Sequence, residues 1–139
     1  MIVKTKFFGD IEIDSNLIIN FENGIPGFDD LKEYTIIDVE DRNYKCIQNI
    51  EKQEICLLVI SPWDYFEKYE INLLDEDVKD LDIKDQSEAL VFSILTAREG
   101  KITTNLIAPI VINIRTRKAK QIILTNSKYS IREEIKCLY

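Results

Sequence analysis

The stretch EALVFSILTAREGKITTNLIAPIVINIRTRKAKQIILTN, residues 88–126, decides the fold class. Three β-branched runs stand out in it: EALVFSILTA (88–97), APIVINIRT (108–116) and KQIILTN (120–126). All three are rich in β-branched residues, and punctuation separates them. Glu99-Gly100 turns the first run, and Arg117-Lys118-Ala119 is expected to turn between the other two. Alternation in PIVINIR places Ile110, Ile112 and Ile114 on one face and Val111, Asn113 and Arg115 on the other, the pattern of a half-buried strand.

The same texture extends toward the N-terminus. IVKTKF (2–7) meets DIEID (10–14) across Phe8-Gly9, and NLIINF (16–21) runs into ENGIPGF (22–28), where Asn23-Gly24 and Pro26-Gly27 mark turns. Asp29–Glu33 has room for one helical turn before YTIIDV (34–39). YKCIQNI (44–50) and EICLLVI (54–60) bracket a hairpin, and Pro62 ends the second strand because it cannot donate to a ladder. YEINLL (69–74) is a further strand candidate. DEDVKDLDI (75–83) changes character: Asp75 is placed as an N-cap, acidic residues crowd the first turn, and Leu74, Val78 and Leu81 share a helical face. Many short strands joined mostly by hairpins define a mainly β chain: one domain over residues 1–139, built as a small antiparallel β-barrel or open barrel with one or two short helices.

Composition narrows the function. The chain has 139 residues, 45% of them hydrophobic, with only 4 Gly and 3 Pro, which suits one folded core rather than disorder. Net charge is −7, unevenly spread: residues 1–70 carry −8, residues 71–97 carry −5 and residues 98–139 carry +6. An acidic chain disfavours phosphate backbones as partners. The basic run RTRKAK (115–120) is read as charges that solubilise an exposed hairpin. The N-terminus lacks the apolar core of a signal peptide, and no run reaches the roughly 18 apolar residues of a membrane helix. Cys46, Cys56 and Cys137 are widely spaced and cannot all pair, which suits reduced thiols in a cytoplasm.

Catalytic and cofactor signals are weak. The absence of histidine removes Ser-His and Cys-His nucleophile systems within the chain and the commonest metal ligand. A calcium loop starting at Asp75 would need glycine at its sixth position and glutamate at its twelfth, where Asp80 and Gln86 stand. GIPG is neither a P-loop nor a dinucleotide fingerprint. No catalytic, cofactor or metal residue is therefore assigned. The aromatics of PWDYFEKY (62–69), Trp63 and Tyr65 among them, either plug a barrel end or anchor a partner.

Four stretches in order carry a resemblance: NGIPGF (23–28), CIQNIEKQEICLLVISPWDYFEKYEI (46–71), ILTAREGKITTNLIAPIVIN (94–113) and QIILTNSKYSIREEI (121–135). Along nearly its full length the chain resembles the flagellar assembly factor FliW family. One departure is the hairpin before Gln121, which often carries glycine in that family and here reads Arg117-Lys118-Ala119; a turn needing positive φ is disfavoured there. The resemblance implies a cytoplasmic, non-enzymatic β-barrel adaptor that binds flagellin and, when free of it, binds the RNA-binding translational regulator CsrA and relieves repression of flagellin translation. It also implies an apolar groove for a helical segment of flagellin.

Partner contacts are expected from residues that folding leaves exposed. Asn105 and Leu106 in TTNLIAP are candidates, as is the acidic helix through Asp75, Asp77 and Asp80, which would steer a basic regulator. Ile25 and Phe28 either cap the core or meet a partner. Two other classes stay open: a small barrel that binds nucleic acid, and an enzyme working through carboxylates.

Overall fold

A computed structural model describes residues 1–125 and 128–137. Eleven strands are present among them: β1 (Ile2–Lys4), β2 (Asp10–Glu12), β3 (Ile19–Phe21), β4 (Glu33–Asp38), β5 (Lys45–Asn49), β6 (Cys56–Ile60), β7 (Ala89–Arg98), β8 (Lys101–Thr104), β9 (Ile110–Asn113), β10 (Lys118–Gln121) and β11 (Glu133–Ile135). One short helix, α1, covers Asp75–Asp80.

Strands β3 to β7 run as an antiparallel meander. β9 then pairs with both β7 and β10, and β10 pairs with β3 in parallel. That parallel contact closes a seven-stranded barrel. Closure removes the open edges that an incomplete sheet of this size would expose. The barrel interior is filled by Ile19, Phe21, Tyr34, Ile47, Val59, Phe92, Ile110 and Ile112, all buried. The β1–β2 hairpin lies against the outer wall: Val3 and Thr5 are buried, Lys6 N–H donates to the Gln48 side chain, and Gln53 donates to Thr5 C=O.

β7 serves two sheets. Ala89–Phe92 pairs with β9, Ser93 and Ile94 pair with β6, and Leu95–Arg98 leaves the barrel to pair with β8. β8 in turn pairs with β11, so β7, β8 and β11 form a wing. Its hairpin is the tight turn expected at Glu99-Gly100, with φ of 53° and 78° and Arg98 facing Lys101. Two consecutive positive-φ residues match the twist of the flanking strands.

Several expectations are corrected. YEINLL is extended but joins no ladder among the described residues: Tyr69–Leu74 crosses outside the barrel, and Glu70 N–H donates to the Tyr129 hydroxyl. Asp29–Glu33 is not helical; successive turns bring Phe28 N–H to Ile25 C=O and Leu31 N–H to Phe28 C=O, and β4 begins at Glu33. NLIINF opens with a 3₁₀ turn at Ser15–Leu17 and becomes strand only at Ile19. The first hairpin turns through residues 5–9, which leaves Phe7 and Phe8 exposed.

α1 ends at Asp80, and its N-cap is Leu74, not Asp75. The carboxylate that reaches back is Asp77, which accepts from Leu74 N–H at 3.4 Å. Leu74 itself is exposed, because the cap is where the chain turns away from the apolar face that buries Leu81.

β9 is buried on both faces rather than one: Val111 and Asn113 are as sealed as Ile110 and Ile112, because Leu81 and Ile122 cover the outer side. Ile114 lies past the strand and is 46% exposed. The turn falls earlier than expected, and Lys118 and Ala119 already belong to β10. Arg117 adopts φ 65° without being glycine. The Asn113 amide makes this possible: its oxygen accepts from Arg115 N–H at 2.8 Å and Thr116 N–H at 3.3 Å, which fixes the turn from within. KQIILTN is strand only to Gln121, and its Asn126 falls outside the described residues.

Glycine matters most at Gly24. Its φ is +71°, and a Cβ there would lie 2.5 Å from Asp29 C=O, so the Asn23-Gly24 corner admits no side chain.

Candidate protein-docking groove

The groove begins where β6 stops. Pro62 cannot extend the ladder, and Pro62–Asp64 instead makes a 3₁₀ turn. β7 continues, so among the described residues its edge opposite β9 has no strand beside it over Ala89–Val91. Tyr69–Leu74 passes that edge at a distance, and a groove of about 850 Å³ opens between them. Ile71, Leu73, Val78, Ile83, Leu90 and Val91 provide its apolar lining. Its ionisable lining residues are Glu70, Lys84 and Asp85.

Trp63 stands at the lip, 41% exposed. Its indole N–H donates to Tyr69 C=O at 2.6 Å, and the two rings lie 5.6 Å apart. Tyr69 is buried: its hydroxyl donates to Leu106 C=O at 2.7 Å, and Tyr129 packs on it at 4.7 Å. Burial pushes the Tyr69 phenol well above its ordinary range. PWDYFEKY thus divides its work. Tyr69 fastens the 69–74 crossing to the corner at Leu106, whereas Trp63 is held at the lip with 41% of its surface exposed; Tyr65 is half-buried.

The far wall, residues 82–88, is tied to the end of β9. Glu88 accepts from Lys84 N–H at 2.7 Å and Asp85 N–H at 3.0 Å, and its second oxygen pairs with Arg115. Those backbone donors and the guanidinium hold the Glu88 carboxyl down to about 2. Arg115 also donates to Asp82 C=O at 2.7 Å, and Asn113 donates to Leu81 C=O at 2.8 Å. The far wall of the groove is therefore fixed by hydrogen bonds and an ion pair.

The expected contact residues separate into three groups. Leu106 is 2% exposed, so it cannot meet a partner in this conformation. Asn105 is committed to structure: its side-chain oxygen accepts from Ile107 N–H at 3.0 Å and Ala108 N–H at 3.1 Å, while Leu106 N–H donates to Ser130 C=O. Ile25 caps the core and is buried, whereas Phe28, across a single bridge from it, is exposed. Phe28 does not line the groove.

The acidic helix is also divided. Asp77 is buried; it accepts from the Lys120 ammonium at 2.8 Å, and Asp80 accepts from the same group at 3.0 Å. Asp77, then Asp80, raise the Lys120 pKa. Asp75 and Glu76 remain exposed, and the helix reaches the groove through Val78. RTRKAK is less free than its sequence implies, since Arg115 and Lys120 are both paired.

Sequence reasoning missed Leu73, Ile83 and Leu90 as groove residues. The usable signal was Pro62, which shortens β6 relative to the ten-residue β7 and so leaves part of β7 uncovered. Among the described residues no group of three or more His, Cys, Asp or Glu is placed to hold a metal. No helix among them is long and apolar enough to cross a membrane.

A small closed β-barrel with a groove of largely apolar lining is the class that fold and site define. Comparison with known proteins is specific about the family. The FliW protein family model matches residues 2–135. The flagellar assembly factor FliW of Pseudothermotoga lettingae is 44% identical over 139 residues, covering 98% of this chain and 88% of that protein. The flagellar assembly factor FliW of Clostridium botulinum strain Alaska E43 is 42% identical over 135 residues, covering 95% and 96%. A crystal structure of the flagellar assembly factor FliW superposes with a TM-score of 0.92 at 37% identity, covering 96% of each chain. This chain belongs to the FliW family of flagellar assembly factors.

Proposed function

We propose that this protein is a cytoplasmic adaptor, acting as one domain without catalysis, that binds flagellin before export. Free of flagellin, it binds the RNA-binding translational regulator CsrA and relieves repression of flagellin translation. The observation that carries this reading is the groove: an apolar floor with a half-exposed tryptophan held at its lip. An amphipathic helix seats its apolar face in such a groove, and a fixed tryptophan is the type of residue on which binding energy concentrates. Flagellin's terminal helical segment is the proposed occupant. Trp63 is its anchor, and Tyr65 and Phe28 are proposed peripheral contacts.

Charge supports the second partner. A regulator that grips RNA presents basic surface, and a chain of net −7 with Asp75 and Glu76 free on α1 attracts it. Asp80 contributes to the same field, although Lys120 shares its charge. Near the regulator, this field also repels phosphate, so antagonism does not require the RNA site to be covered.

Calorimetric titration with a CsrA-type regulator, with and without flagellin already bound, tests the reading. Binding that flagellin abolishes is the expected result. Failure to bind either protein would overturn it.

A further inference from the structure

The wing formed by β7, β8 and β11 presents a sheet face that the groove does not use. Register puts Thr96 opposite Thr103 and Arg98 opposite Lys101, so these side chains share that face, and Glu134 opposite Thr103 joins them. A concavity of about 470 Å³ lies over the face, lined by Ile94, Arg98, Lys101, Asn105, Ile131 and Arg132 among others. Ile131 is 56% exposed beside it.

Three cations, Arg98, Lys101 and Arg132, converge on this one concavity. Arg115, Lys120 and Lys45 are each engaged by a carboxylate. Among the described residues no ion pair involves Arg98, Lys101, Arg132 or Lys136. The acids around them are Glu99, which also lines the concavity, and Glu134. The concavity is thus lined by three cations against one carboxylate, with Glu134 on the same face, and none of the three cations is held in an ion pair among the described residues.

We propose that this face docks an acidic peptide segment of a partner protein. Carboxylates of the segment meet Arg98, Lys101 and Arg132, and an aliphatic side chain settles on Ile94 and Ile131. Arginine suits the task because its planar fork takes a carboxylate in two parallel hydrogen bonds. Two observations favour a peptide over a nucleic acid. None of the residues lining the concavity is aromatic, so no ring is available for bases to stack on. The net charge of −7 also opposes a long polyanion more than a short segment. The proposal is independent of the groove, and either can fail alone.

The test is fluorescence anisotropy with a dye-labelled peptide of Glu and Asp carrying one Leu, beside an oligouridylate of equal length and the same peptide with Ser in place of Leu. The peptide is expected to bind saturably at low salt, more tightly than the oligouridylate or the Ser peptide, and to weaken as salt rises. Reversal by Arg98→Glu, Lys101→Glu and Arg132→Glu should weaken binding about tenfold or more, and the three Gln variants should fall between. Glu134→Lys should tighten it, a gain that misfolding cannot imitate. Absence of saturable binding at low salt, indifference to the triple reversal, or tighter binding of the oligouridylate would overturn the proposal.

Discussion

The corner at residues 103–109 and the lip at residues 62–74 are both irregular connections, both carry large apolar side chains, and both held candidates for partner contact beside a structural alternative. Folding treats them differently. The corner closes on itself: Asn105 takes two backbone N–H groups, Leu106 is sealed, and Leu106 C=O accepts the Tyr69 hydroxyl. The lip leaves Ile71 and Leu73 half-buried around a groove and holds Trp63 at its mouth. Where backbone groups are satisfied locally, a loop becomes part of the core. Where a strand ends early at a proline, its neighbour's surface stays open.

The largest expected effect breaks the corner. Asn105→Ala with Leu106→Ala removes a buried leucine and two backbone hydrogen bonds, and should cost about 4 kcal/mol of stability. Chemical denaturation measures it; a loss of partner affinity with stability intact would mean that the corner is a surface after all.

Trp63→Ala sharpens the contrast. That residue is already 41% exposed, so stability should fall by about 1–2 kcal/mol, while affinity for flagellin should fall about tenfold or more. Calorimetry and thermal unfolding of the same variant separate the two.

Charge reversal on α1 has a smaller and more selective effect. Asp75→Lys with Glu76→Lys should slow association with a basic regulator severalfold at low salt, with stability changed by no more than about 0.5 kcal/mol. Stopped-flow mixing reads the rate. Including Asp77 would confuse the result, because that buried carboxylate holds Lys120 and caps the helix.

The smallest effect is on acid stability. Glu88 is held to about 2 from an ordinary value of 4.5, so its contribution is complete above pH 4.5 and disappears as pH falls toward 2. Glu88→Gln should flatten the stability profile in that window and leave its neutral limb unchanged in slope. A parallel acid limb in the variant would show that the Lys84, Asp85 and Arg115 contacts do not tune the carboxyl.

Much of the barrel was legible in the sequence, because alternation and turn chemistry are local. Glu99-Gly100, Asn23-Gly24 and Pro62 each marked a break that the structure keeps. What could not be read depended on neighbours remote in the chain. YEINLL has strand-forming side chains but no ladder to join among the described residues, and Ile114 falls off a strand whose end is set by the Asn113 amide. Leu106 looked exposed because its burial depends on Tyr69 and Ser130, neither near it in sequence. The same limit applied to the candidate site: Asp77 is indistinguishable from Asp75 until Lys120, far along the chain, comes to rest against it.

Amide hydrogen exchange of this protein with and without bound flagellin tests the central claim most directly. If the groove is the docking face, protection should rise at Ile71–Leu73 and Ala89–Val91, with the Trp63 indole N–H slowed beside them, while Asn105–Ala108 stays as protected as before. Protection rising at the corner or over the β1–β2 hairpin, with the groove unchanged, would contradict it.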